Sequence, residues 1–239
     1  MDTRDTNDDT HDIIDFMLDI ETLGLNPCPV IIQISVVAFI KESGKILGDP
    51  FDRRVNAHSC VSTSKQFKID GETIEWWMKQ EESIYEDIFL NAMRPTNDKN
   101  TDIKNVLNDL SKWLTEKKRK YCRIRANTYG DGRSYIWANG GANTDCTWLN
   151  QAYKACGIQV PFSFTEIQDV RTLVNQATQL TNTNPKQETI LINPKKRHHA
   201  LEDCYIQITY CHQAYNLLKN HNKREKELTL KDERNNKPE

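Results

Sequence analysis

Between Val30 and Ile40 the chain reads VIIQISVVAFI, with only Gln33 and Ser35 polar. A strand this rich in Val and Ile is apolar on both faces and belongs inside a sheet covered on both sides. That calls for a layered α/β fold, and the rest of the sequence supplies the layers. Ile13 to Ile20 reads as a strand before it. After a Glu42-Ser43-Gly44-Lys45 turn, Ile46 to Asn56 reads as a third strand. Three strands joined by short turns imply an antiparallel meander. Helical signals follow. Asp70 caps a stretch to Gln80, and a second stretch runs from Glu81 to Asn91. Asp102 to Glu116 places Ile103, Val106, Leu107, Leu110 and Leu114 at helical spacing. Ser134 to Ala138 reads as a short strand, and Thr144 to Cys156 as a helix ended by Gly157. Ile167 to Thr172 reads as another strand, leading into a helix near Leu173 to Ala177. Residues 178–197, rich in Asn and Thr, read as a long loop, and Ala200 to Leu218 as a final helix.

The chain has 239 residues, enough for one folded domain, expected over 13–220. Residues 1–12 and the charged stretch 221–239 are expected to lack order. A formal net charge of −2 argues against coating nucleic acid by bulk charge, though not against a local basic groove. Seven cysteines without a paired spacing read as reduced, buried thiols of a cytoplasmic protein rather than a zinc site. No apolar run approaches the roughly 20 residues of a membrane span, and the acidic N-terminus does not read as a signal peptide.

Three short segments carry chemistry. Asp19 and Glu21 end the first strand, and alternate strand residues share a face. Two carboxylates on one face repel unless a hard cation such as Mg²⁺ or Mn²⁺ sits between them, although two surface acids before a turn would read the same way. His198 precedes Asp203 by five residues at the start of the last helix. There a loop imidazole can face a carboxylate, or both can be ordinary residues of a helix start. Between these segments, Trp137-Ala138-Asn139-Gly140 ends a strand, and Asp145 opens a helix, where an acid is also a common first-turn residue.

In the order DxE, D, HxxxxD, the set resembles the DEDDh 3′→5′ exonuclease superfamily, whose fold is RNase H-like. Asp19-Ile20-Glu21-Thr22-Leu23-Gly24, Thr73 to Gln80 with its tandem Trp76-Trp77, Trp137 to Gly140, Asp169 to Thr172 and His198 to Asp203 are most similar to one branch. That branch holds the exoribonuclease-like domains of phage and bacterial proteins, including exonuclease A of T-even phages and the N-terminal region of exonuclease VIII. The resemblance spans roughly residues 13–215. It departs at Thr144, where the family has an aromatic residue.

The resemblance implies a central mixed sheet, antiparallel in its first three strands and flanked by helices. It implies two ions, Mg²⁺ or Mn²⁺, held by Asp19, Glu21, Asp145 and Asp203, with His198 taking a proton from the attacking water. Nucleoside 5′-monophosphates would leave the 3′ end of single-stranded DNA or RNA. Thr22 and Leu23 would meet the terminal nucleotide, near Asn139. One of Trp76 and Trp77 would pack in the core and the other stack on a base, or both would be structural. Lys195, Lys196 and Arg197 would contact phosphate. Lys117 to Lys120 with Arg123 and Arg125 would steer nucleic acid or merely form a solvated helix end. The helix bearing the tryptophans would also serve a homodimer. The competing functions are a non-catalytic nucleic-acid-binding module on a decayed nuclease and an RNA end-trimming or decapping enzyme.

Overall fold

The computed structural model describes residues 10–122, 133–141, 143–192 and 198–235. Its centre is one mixed sheet. Strand β1 (Ile13–Thr22) pairs antiparallel with β2 (Ile31–Ile40), and β2 pairs antiparallel with both β3 (Lys45–Ile46) and β4 (Phe51–Arg54). The expected single third strand is therefore two. Gly48-Asp49-Pro50 interrupts it, because proline has no N–H for the ladder and Gly48 adopts a positive φ of 64°.

Helices α1 (Ala57–Thr63) and α2 (Gly71–Trp77) follow. Asp70 caps α2, its side chain accepting from the Glu72 N–H. The stretch expected as one helix from Glu81 is α3 (Glu82–Ile84), a π turn (Tyr85–Leu90) and α4 (Asn91–Met93). Helix α5 (Ile103–Tyr121) then leads back to β5 (Arg133–Ala138), which lies parallel to β1. Helix α6 (Asp145–Cys156) ends on left-handed Gly157 and precedes β6 (Ile167–Asp169), parallel to β5. The strand expected to Thr172 stops at Asp169, whose side chain caps α7 (Val170–Thr181).

Residues 178–197 are not one loop. Helix α7 continues to Thr181, and α8 spans Pro185–Ile192. The Asn184 side chain accepts from the Gln187 N–H, and Pro185 suits a first helical turn. The last helix, α9 (Ala200–Asn235), runs well past Leu218 into the charged stretch expected to lack order. His11, in the other such stretch, bridges to Cys122, its N–H donating to the Tyr121 carbonyl.

Alternation along β1 divides the core. Phe16, Leu18 and Ile20 face a layer that includes Leu107, Leu110 and Leu149 of α5 and α6. Met17 faces the opposite layer with Val174, Cys204 and Ile208 of α7 and α9. Asp15, Asp19 and Glu21 share the parity of Met17, so the carboxylates near the end of β1 point toward α9. All seven cysteines are buried and unpaired. No described helix is long and apolar enough to cross a membrane.

Trp77 ties the end of β1 to α2. It is 1% exposed, its ring stacks on Phe89, and its Nε1 donates to the Thr22 carbonyl at 2.9 Å. Trp77→Ala should cost about 3–5 kcal/mol, the usual range for deleting a core aromatic. Urea unfolding of the variant checks this, and a loss under 1 kcal/mol would show that Trp77 does not anchor the strand.

Candidate active site

Three carboxylates from two elements converge. Oxygens of Asp19 and Glu21 on β1 and of Asp203 in the first turn of α9 lie within 4.8 Å of one another. Octahedral Mg²⁺ binds oxygen at about 2.1 Å, so two ligands of one ion lie no more than about 4.2 Å apart. The three side chains are thus close to a cation cradle. Its donors are all hard oxygens, which suit Mg²⁺ or Mn²⁺.

The local electrostatics point the same way. Burial, together with the charges of Asp145, Glu21 and Asp203, raises the Asp19 carboxyl well above its usual range. Burial, Asp203 and Asp145 do the same to Glu21. Buried carboxylates clustered in this way are costly to ionise without a cation.

Asp145 stands beside the trio rather than in it. Its Oδ1 accepts from the Ile20 N–H at 3.2 Å and its Oδ2 from the Thr144 hydroxyl at 2.9 Å. Burial pushes its pKa up to about 6 despite those hydrogen bonds. Thr144, where the family has an aromatic, therefore holds an Asp145 oxygen. The Gly140-Gly141 turn, between β5 and α6, passes close against β6. A Cβ on Gly141 would lie 2.5 Å from the Gln168 carbonyl, and Gly140 has a φ of 92°.

His198 and His199 part company. His198 adopts a left-handed backbone, φ 70°, and its N–H donates to Asp203 Oδ2 at 3.0 Å. Its ring lines the acidic cavity and meets Trp76 edge-on, 4.7 Å between centroids. His199 turns toward Asp87, with 4.0 Å between Nε2 and Oδ2. The register is set from β2, where the Gln33 Oε1 accepts from the Ala200 N–H at the start of α9.

Two cavities meet at Ile20 and Glu21. The acidic one, ≈ 230 Å³, is walled by Asp19, Asp203, His198 and Asn139, and also by Lys186 of α8 and Gln207 of α9. The other, ≈ 400 Å³, has Thr22 with Leu25, Trp76 and Trp148 among its walls.

One expected substrate contact, Leu23, needs correction. Leu23 is fully buried, while Leu25, two residues on, is 71% exposed and lines the larger cavity. Trp77 is the core member of the tandem pair, and Trp76, 40% exposed, is the one with a free face. Lys195, Lys196 and Arg197 lie outside the described residues, as do Arg123 and Arg125. Arg171 donates to the Asn139 carbonyl at 3.4 Å.

The described part of the basic run is engaged elsewhere. Lys117 donates to the Leu47 carbonyl and Lys118 pairs with Glu166. This run lies by the start of β1, the opposite end from Asp19, since His11 bonds to Tyr121. Gln207, Lys186, Leu25 and Trp148 escaped the sequence reading. Only Gln207 had a local signal, its four-residue spacing from Asp203.

A family model described as the Rv2179c-like 3′-5′ exoribonuclease domain matches residues 14–215. The chain belongs to this family. That family is described by its 3′-5′ exoribonuclease domain, and the match spans Asp19, Glu21, Asp145, His198 and Asp203. Comparison with curated proteins gave no match. Among solved structures, one of exonuclease I is similar at 11% identity and a TM-score of 0.56, covering 88% of this chain and 42% of that one. Another, of E. coli exonuclease I in complex with a dT13 oligonucleotide, aligns at 10% identity and a TM-score of 0.54, covering 90% and 43%. The nuclease domain of 3′hExo, a DEDDh family member bound to rAMP, aligns at 12% identity and 0.51, covering 85% and 92%. The chain thus spans less than half the length of the exonuclease I chains, and these likenesses bear on the fold.

Proposed function

We propose that the protein removes nucleoside 5′-monophosphates from the 3′ end of single-stranded RNA or DNA, with divalent cations held by Asp19, Glu21 and Asp203. The observation that carries this reading is the convergence of those three carboxylates beside a tryptophan-walled cavity, with His198 touching both. Bound there, Mg²⁺ or Mn²⁺ supplies Lewis-acid activation of the phosphodiester and of the attacking water. Asp19, Glu21 and Asp203 would hold the metal, and Asp145, whose charge also reaches Asp19, would add a further carboxylate beside them. His198 takes the proton from the attacking water, its backbone held by Asp203.

The larger cavity suits the terminal nucleoside. Its apolar walls, Leu25, Trp76 and Trp148, offer a base flat surfaces without sequence preference. Lys186 in the acidic cavity is the described cation placed to meet a phosphate oxygen. The family's description as exoribonucleases makes RNA the first substrate to test, and the Thr73-Ile74-Glu75-Trp76-Trp77 helix supports a place near the phage and bacterial branch.

The test uses 5′-labelled RNA and DNA of one sequence with Mg²⁺ or Mn²⁺ and an EDTA control. A ladder that shortens from the 3′ end, absent with EDTA, is expected, and the faster strand names the preferred sugar. Binding without cleavage under both metals would instead mean a decayed nuclease. Trp76→Ala should raise KM about 5-fold or more, because one base–aromatic stack is worth about 1–3 kcal/mol. An unchanged KM would remove Trp76 from the substrate path.

A further inference from the structure

Asp203 and Gln207 lie one turn apart on the same face of α9, and both line the acidic cavity. Gln207 is 4% exposed. Its Nε2 donates to Asp19 Oδ1 at 2.6 Å, a short bond across from helix to strand. Its Oε1 is buried and has no hydrogen-bond partner among the described residues. Leaving a buried carbonyl unsatisfied costs about 1–3 kcal/mol, so such a group calls for an explanation. Turning the amide over would set its oxygen against Asp19 once that carboxyl is ionised, as it must be to hold a cation. No described side chain supplies a donor for Oε1, and the cavity it lines has room for one to enter.

Resting on the reading of the trio as a cation cradle, we infer that Gln207 is a positioning residue for a hydrated divalent cation. Its amide N–H fixes the rotamer of Asp19, and its Oε1 accepts a hydrogen bond from a water of the cation's hydration shell. Both halves follow from one side chain. The donor end spends itself on the carboxylate that must not swing away. The acceptor end takes a group with protons to give, which a bare carboxylate or a phosphate oxygen lacks and a hydrating water has. Asp19 is otherwise surrounded by like charge, from Asp145, Glu21 and Asp203, so the Gln207 bond opposes its displacement in the cation-free protein.

The experiment is calorimetric titration of Mn²⁺ into the full chain without nucleic acid, for the wild type, Gln207→Met, Gln207→Asn and Asp19→Asn. Met keeps the volume and removes both polar ends, whereas Asn keeps the amide but stops short of Asp19. Each Gln207 variant should bind Mn²⁺ about 10- to 100-fold more weakly, the usual loss when a partner of a metal ligand is removed. The urea midpoint of the metal-free protein should not fall with Gln207→Met, because the orphaned carbonyl goes with the side chain. At saturating Mn²⁺ the KM for an oligonucleotide should match the wild type, and the kcat deficit seen at low Mn²⁺ should close. If Gln207→Met fails to fold, Gln207→Asn decides. Wild-type Mn²⁺ affinity in the Gln207 variants, with binding abolished by Asp19→Asn, would overturn this inference alone. Wild-type affinity in Asp19→Asn would overturn the cradle itself.

Discussion

Asp19→Asn should reduce kcat/KM by about 10³-fold or more and, in EDTA, raise the melting temperature. The two effects share one cause. Asp19 is placed between Glu21, Asp145 and Asp203, and its charge is costly in the fold without a cation. With a cation the same charge is the attraction that holds it, and a catalytic metal is worth several kcal/mol in the transition state. At about 1.4 kcal/mol per decade, losing it removes roughly three decades of rate. The amide keeps the shape, can still accept from Gln207, and relieves the repulsion. A gain of about 1 kcal/mol would lift the melting temperature by about 2–4 °C for a chain of this size. Hydrolysis within tenfold of wild type, or a lower melting temperature in EDTA, would refute the assignment.

The pH dependence carries a sign that can be checked on the same samples. Asp145 is pushed up to about 6 from an ordinary 3.8. Asp19 and Glu21 are raised as well. Between the unfolded and folded values the native protein keeps protons that the unfolded chain has released. Stability of the metal-free protein should therefore fall as pH rises from about 4 through 6, and fall further as Asp19 and Glu21 give up their protons. Mn²⁺ competes with those protons, so its stabilising effect should be larger at pH 7.5 than at pH 5. Asp19→Asn should flatten both trends. Metal-free stability that rises with pH across this window would mean that the carboxylates are not strained as the structure indicates.

The parts of this site that the sequence discloses are those built on local periodicity. Asp19 and Glu21 share a face because strands alternate, and His198 and Asp203 flank a helix start, so each pair is visible within six residues or fewer. The buried strand at Val30 to Ile40 is visible because composition alone marks it, and the structure buries every residue of it. What the sequence hides is convergence and competition. Leu23 and Leu25 are the same residue type two positions apart. Only the hydrogen bonds of Leu23 to Val30 and Asp70 show that the chain turns it inward. Helix α8 hides in a segment rich in Asn and Thr, whose weak helix propensity is overridden by the Asn184-Pro185 start and by packing on α9. Lys186 became a wall of the acidic cavity only once that helix existed. The break between β3 and β4 was readable in Gly48-Asp49-Pro50, where turn chemistry outweighed the strand-forming residues on either side.

The geometry of His198 sets it apart from His199. Its backbone is held and its ring has an aromatic neighbour. The left-handed backbone fixes where the Cβ points, the Asp203 carboxylate holds the N–H, and Trp76 bounds one side of the imidazole. These restraints suit the proposed role of His198 as general base. His199, one residue on, faces Asp87 instead and cannot substitute without rebuilding the start of α9. Asparagine is the variant to make, because it tolerates a positive φ and leaves the backbone where it is. His198→Asn should bind Mn²⁺ and oligonucleotide as the wild type does and lower kcat by about 10²- to 10⁴-fold, the usual contribution of a positioned general base. His199→Asn should lower kcat by less than about tenfold. Equal losses in the two variants would mean that the histidines act by shaping the loop. A full loss in His199→Asn alone would move the base by one residue and require α9 to start differently when substrate is bound.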